Sequence, residues 1–296
     1  MRLDDERESQ NVEDRRSQSG GMGFGGLNNA NLLGLLFQGK IGILLLLAIG
    51  AAAYFGYDLT PVLNGQMPVK QQARGEPRRV SAEEQALDTF SRKVLSTTER
   101  VWRAYFRSQG RVYKDPTLVL YRHSTSTACG YGQSASGPFY CPADQKIYLD
   151  LSFYDDMKNQ LKASGDFAFA YVIAHEVGHH VQNLLGTSRK TQAAQRSASK
   201  TEANRISVRV ELQADCFAGV WAHYVDKENR LESGDAEEAF NAAEAVGDDR
   251  LQERARGQVV PDSFTHGSSA QRLRWFQRGL QSGDPAQCDT FSAANP

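Results

Sequence analysis

Two histidines four residues apart in an apolar run constrain this chain most tightly. Residues 170–182 read AYVIAHEVGHHVQ. A helical turn takes about 3.6 residues, so positions four apart share a face. His175 and His179 therefore present two imidazole nitrogens to one point. Glu176 follows the first of them and can reach a water held there. A metal ion explains this grouping, and Zn²⁺ is the expected cofactor, because it lowers the pKa of its water from about 15.7 to about 7. The surroundings suit a buried helix over Phe167 to Val181: Phe169, Tyr171, Val172, Ile173 and Val177 are apolar and no proline intervenes. Gly178 costs that helix about 1 kcal/mol relative to Ala and allows another element to approach closely. Gly186 is its expected C-cap.

A catalytic zinc usually has three protein ligands and an open position. The extended pattern HExxHxxGxxH needs Gly at 182 and His at 185, but Gln182 and Leu185 stand there. Glu202, Glu211, Asp215 and His223 remain as downstream candidates. Glu211 is favoured: with Asp215 it forms a pair four apart on an expected helix from Ser207 to Tyr224. Charges in such an apolar helix need a partner, and zinc with its histidines supplies one. The other carboxylate can orient a ligand histidine through its second ring nitrogen. Glu202 is the runner-up. His123 has no supporting spacing, and His180, directly after His179, points elsewhere on the helix.

The rest of the chain sets the frame. A formal net charge of -1 gives no electrostatic reason to expect nucleic acid as a partner. The four cysteines, Cys129, Cys141, Cys216 and Cys288, form no tight metal-ligand pair. An even, scattered set points to two disulfides in an oxidising compartment, with three connectivities possible. Cys129–Cys141 and Cys216–Cys288 are favoured. Residues 1–38 read as a flexible, Gly-rich tail, since few apolar groups offset the entropy of ordering them. Residues 39–58 read as one transmembrane anchor. Within them Ile41 to Tyr57 carries no charge, at the short end of the roughly 17–25 residues a crossing needs. A cleaved signal peptide and a buried core helix are the competing readings. With disulfides outside, the N-terminus is expected in the cytoplasm and the rest beyond the membrane.

Residues 59–80 hold three prolines and read as a linker. The folded domain is expected over 81–296. Ser81 to Glu84 is a capping-box start for a scaffold helix ending near Gly110. Thr117 to Tyr121 and Ile147 to Leu151 read as strands, and the second is a candidate for pairing with an extended substrate. Thr187 to Arg205 reads as a mobile connection or partly helical flap. Asp235 to Glu238 is another capping-box start, and a last helix is expected near Ser269 to Gln281.

HEVGHH, then ELQADCFAG, then FTHGSSAQR, behind a Gly-rich tail and one apolar stretch, resembles the bacterial putative neutral zinc metallopeptidase family. The chain is also more distantly similar to membrane-associated zincins. The resemblance implies an α+β fold: a mainly helical, zincin-like catalytic domain with a small β-sheet, preceded by one transmembrane helix. It implies His175, His179 and Glu211 as zinc ligands, Glu176 as general base and Asp215 behind the ligands. It also implies His266 at the oxyanion, with Arg272 nearby. Gly267 follows His266 where the distant relatives have proline. The implied activity is hydrolysis of a peptide or protein substrate at the membrane. Two other functions fit the same residues: a non-catalytic binding or chaperone module with a structural zinc, and an amidase acting on cell-wall peptides.

Overall fold

The computed structural model describes residues 1–17, 80–133 and 137–296. The expected anchor, residues 39–58, and most of the expected linker lie outside them. No helix among the described residues is long and apolar enough to cross a membrane. The described fold is mostly helical with a small sheet.

Three helices carry the site. Helix α2, Asp166–Leu185, is buried along most of its length and ends on Gly186 at φ 84°, the expected left-handed C-cap. Helix α4, Lys200–Lys227, starts on the Ser199 cap, earlier than expected. Helix α7, Ser269–Ser282, has a complete capping box between Ser268 and Gln271. Glycine lets them touch. A Cβ on Gly178 would lie 2.9 Å from the Ala214 carbonyl oxygen, so α2 and α4 meet at the turn carrying the histidines. A Cβ on Gly219 would lie 2.1 Å from the Phe276 carbonyl oxygen, which brings α7 against α4 in the same way. The disulfides join Cys129 to Cys141 and Cys216 to Cys288, as favoured from the sequence.

Four further long helices are α1 (Ala82–Ser108), α3 (Thr187–Ser197), α5 (Asp235–Ala245) and α6 (Asp248–Arg256). Ser81 caps α1 as expected, but the Glu84 carboxylate pairs with Arg122 instead of closing the box. The expected box at Asp235 does not form, because Asp235 is already inside α5. The expected flap resolves into α3 and the first turns of α4. Helix α6 had no sequence signal, being polar along its length.

The sheet runs β1-β2-β6-β5, from Val12–Asp14, Thr117–Tyr121, Lys146–Asp150 and Phe139–Cys141. A separate hairpin pairs β3, Ser124–Thr127, with β4, Gly130–Gln133. Strand β6 lies between β2 and β5 and has no edge to offer a substrate. The expectation that it pairs with substrate is corrected: the edge on that side of the sheet is β5.

The reading of residues 1–38 as a tail is also corrected over residues 1–17. Strand β1 pairs parallel with β2, in register Val12 with Leu118 and Asp14 with Leu120. Leu3, Glu6, Ser9 and Arg16 are buried. Ionic partners on α1 replace the missing apolar ones. Glu99, buried, accepts hydrogen bonds from Asn11 Nδ2 at 2.7 Å, Arg7 Nη2 at 3.0 Å and the Ser9 hydroxyl. Arg16 donates to Asp88 at 2.5 Å. A count of apolar groups misses this term.

Candidate metal centre

His175 and His179 project from consecutive turns of α2, and Glu211 faces them from α4. One ligand atom from each lies within 4.8 Å of the other two. His175 Nε2 is 3.2 Å from Glu211 Oε2, and His179 Nε2 is 3.4 Å from Glu211 Oε1. The other nitrogen of each ring is occupied. His175 Nδ1 lies 2.8 Å from Asp215 Oδ1, and His179 Nδ1 lies 2.9 Å from Gln182 Oε1. An ionised carboxylate only accepts, so His175 carries a proton on Nδ1, and Nε2 is the ring nitrogen left to ligate a metal at the shared point. Gln182 does the same for His179. Its orientation is fixed because its own amide donates to the Val210 carbonyl at 2.7 Å and to Gln213 Oε1 at 3.1 Å. Two imidazole nitrogens and a carboxylate, with both rings held in the ligating tautomer, suit Zn²⁺.

Asp215 is fully buried. It accepts Arg272 Nε at 2.8 Å, Arg272 Nη2 at 2.9 Å and the Tyr171 hydroxyl at 2.5 Å. Burial disfavours its charge, but Arg272 and His175 outweigh that and hold its pKa at about 2. Glu211 is likewise penalised by burial, yet the His179 and His175 imidazoles hold it well below the usual carboxylate range. Burial pushes the Glu176 pKa up, against the pull of His179 and His175. Among the described residues Glu176 has no hydrogen-bond or ion-pair partner, and it lines the cleft.

That cleft holds about 680 Å³. Gly137 to Tyr140, which includes the start of edge strand β5, lines it alongside His175, Glu176 and Arg272. Strand β5 is tied to α2: the Tyr140 hydroxyl is 3.0 Å from His180 Nδ1, and His180 Nε2 is 2.6 Å from the Lys114 carbonyl. Since a carbonyl only accepts, His180 donates from Nε2 and accepts from Tyr140. His266 also lines the cleft, half-exposed on the loop before α7. Asp248 holds that loop, accepting the backbone N–H of Thr265, His266 and Gly267 at 2.7, 2.6 and 3.0 Å. Asp248 Oδ1 is also 3.2 Å from His266 Nδ1, and this contact raises the His266 pKa. Gly267 sits at φ 89°, a conformation glycine adopts without strain.

The structure thus brings together His175, Glu176, His179, Glu211, Asp215, His266 and Arg272. Glu202 is exposed near the start of α4. His123 sits at a strand-end turn, and His223 bonds the Leu280 carbonyl at 2.8 Å; neither belongs to this cluster. Sequence reasoning missed Gln182, Asp248, Tyr140 and the role of His180. Gln182, three residues after His179, was the one with a local signal.

Residues 1–291 match the model of a family described as putative neutral zinc metallopeptidase. The Escherichia coli (strain K12) protein named "Uncharacterized protein YpfJ" is 55% identical, across 98% of this chain and 99% of that protein. An uncharacterized protein of Mycobacterium tuberculosis (strain H37Rv) is 46% identical, across 62% of this chain and 64% of its own length. No solved structure matches the chain.

Proposed function

The chain belongs to the putative neutral zinc metallopeptidase family, and from that premise we propose that it hydrolyses peptide bonds with one zinc held by His175, His179 and Glu211. The convergence of those three side chains, with each histidine Nδ1 already occupied, carries the reading. Zinc bound there supplies an acidified water and a Lewis acid for the scissile carbonyl. Glu176 takes the proton from the attacking water and passes it to the leaving amine. Its burial raises its proton affinity, and no other side chain competes for its oxygens among the described residues. His266 donates a hydrogen bond to the developing oxyanion, and Asp248 favours its protonated form. Asp215, clamped by Arg272, keeps His175 in the ligating tautomer. An extended peptide adds to the outer edge of β5, running through the cleft. The disulfides favour an extracytoplasmic catalytic unit, and the apolar stretch Ile41 to Tyr57 holds it at the membrane.

Glu176→Gln tests the reaction. It removes the base and leaves the three ligands in place. Casein hydrolysis is expected to fall by roughly 10²–10⁴-fold at unchanged zinc content. Wild-type hydrolysis by a zinc-loaded variant would remove Glu176 from the mechanism.

A further inference from the structure

We infer that residues 1–17 share one side of the membrane with residues 80–296, so that the chain between them makes no net crossing. The observation is the sheet itself. Strand β1 lies in the same sheet as β2 and β6, and a sheet cannot form across a bilayer. The Leu118 N–H donates to the Asn11 carbonyl at 2.9 Å, and the Arg15 N–H donates to the Leu120 carbonyl at 2.7 Å. Side chains bind the two parts as firmly. Glu99 is buried, and without Arg7, Ser9 and Asn11 it would keep only Arg103, at 3.5 Å. Asp88, also buried, would lose Arg16. An under-compensated buried carboxylate is costly, so the domain holds the segment in place.

An anchor crossing once would put β1 and β2 on opposite sides. Pairing therefore allows only an even number of crossings. Two helical crossings need at least about 34 residues at the shortest workable length, and the apolar residues between Leu32 and Tyr57 are fewer. Zero crossings remains. The expected orientation, N-terminus inside and the domain outside, is replaced by a single-sided one. This inference stands apart from the peptidase reading.

The test uses the full chain in its membrane. Gln10 and Val112 are exposed, the one beside β1 and the other on the far side of the apolar stretch in sequence. Gln10→Cys and Val112→Cys are labelled separately with a membrane-impermeant maleimide, in spheroplasts before and after permeabilisation. The native cysteines are paired and stay silent. Both sites are expected to react before permeabilisation. Both reacting only afterwards would still support one-sidedness while moving the domain to the cytoplasm. One site labelled and the other protected would overturn the inference. Glu8→Cys and Val259→Cys, also exposed, repeat the comparison if the first pair disturbs disulfide formation.

Discussion

Glu99 on α1 and Asp215 on α4 are both carboxylates buried within long helices, and each is held by arginine. Their partners differ. Glu99 is reached by Arg7, whose side chain is 54% exposed, and by two polar side chains of the same N-terminal segment. Asp215 is reached by Arg272, at 4% exposure, and by the buried His175 and Tyr171. The first arrangement fastens a segment whose charges can return to water. The second fixes an imidazole in a place where no charge can rehydrate. Similar chemistry thus serves attachment in one region and orientation in the other, and the depth of the partners separates the two.

That contrast breaks most sharply at Asp215. Asp215→Ala leaves Arg272 buried with its main acceptor gone and is expected to cost about 3–5 kcal/mol in denaturant unfolding. If that variant does not fold, Asp215→Asn keeps the volume and should weaken zinc binding by about 10–100-fold through loss of the charge behind His175. Unchanged stability in the first and unchanged zinc affinity in the second would erase the distinction. Glu99→Ala is expected to cost less, about 1–3 kcal/mol, because Arg7 can swing into solvent. Its signature is local: protease cuts appear within residues 1–17 while zinc content holds. Loss of zinc in this variant would mean that the two regions are one.

The smallest effect is a pH dependence. Arg15 and Lys146 hold the Glu13 pKa at about 2, below its ordinary 4.5. A depressed carboxyl pKa gives a contribution that is full above pH 4.5 and lost as pH falls through about 2. Glu13 is partly exposed, so solvent screens the effect. Amide exchange, corrected for intrinsic rate, should show residues 12–14 losing protection over that window relative to the middle of α2. Parallel behaviour of the two would count against ionic attachment of β1.

The same contrast explains what the sequence made legible. Helix α2, strand β2 and the Glu211–Asp215 pair all announce themselves by local period: four-residue spacing on a helix, or an apolar run such as TLVLY. Gly178 could be read as a point of close approach because glycine within an apolar helix needs a reason. Strand β1 is polar, and its stabilising partners lie on α1, far along the chain. Strand β5 is short and sits in a loop rich in glycine and serine. Asp248 holds His266 through backbone N–H groups, which leave no pattern in side chains. Gln182 was visible only as a departure from another motif, and its hydrogen bond to His179 is what the structure adds.

The proposed site holds one zinc on His175, His179 and Glu211. Metal content by mass spectrometry, with competitive titration, on the purified full-length wild type and on Glu211→Ala tests it most directly. About one zinc per wild-type chain is expected, with an affinity reduced by at least roughly 10–100-fold in the variant. A zinc-free wild type with both disulfides formed, or an unchanged affinity in Glu211→Ala, would contradict it.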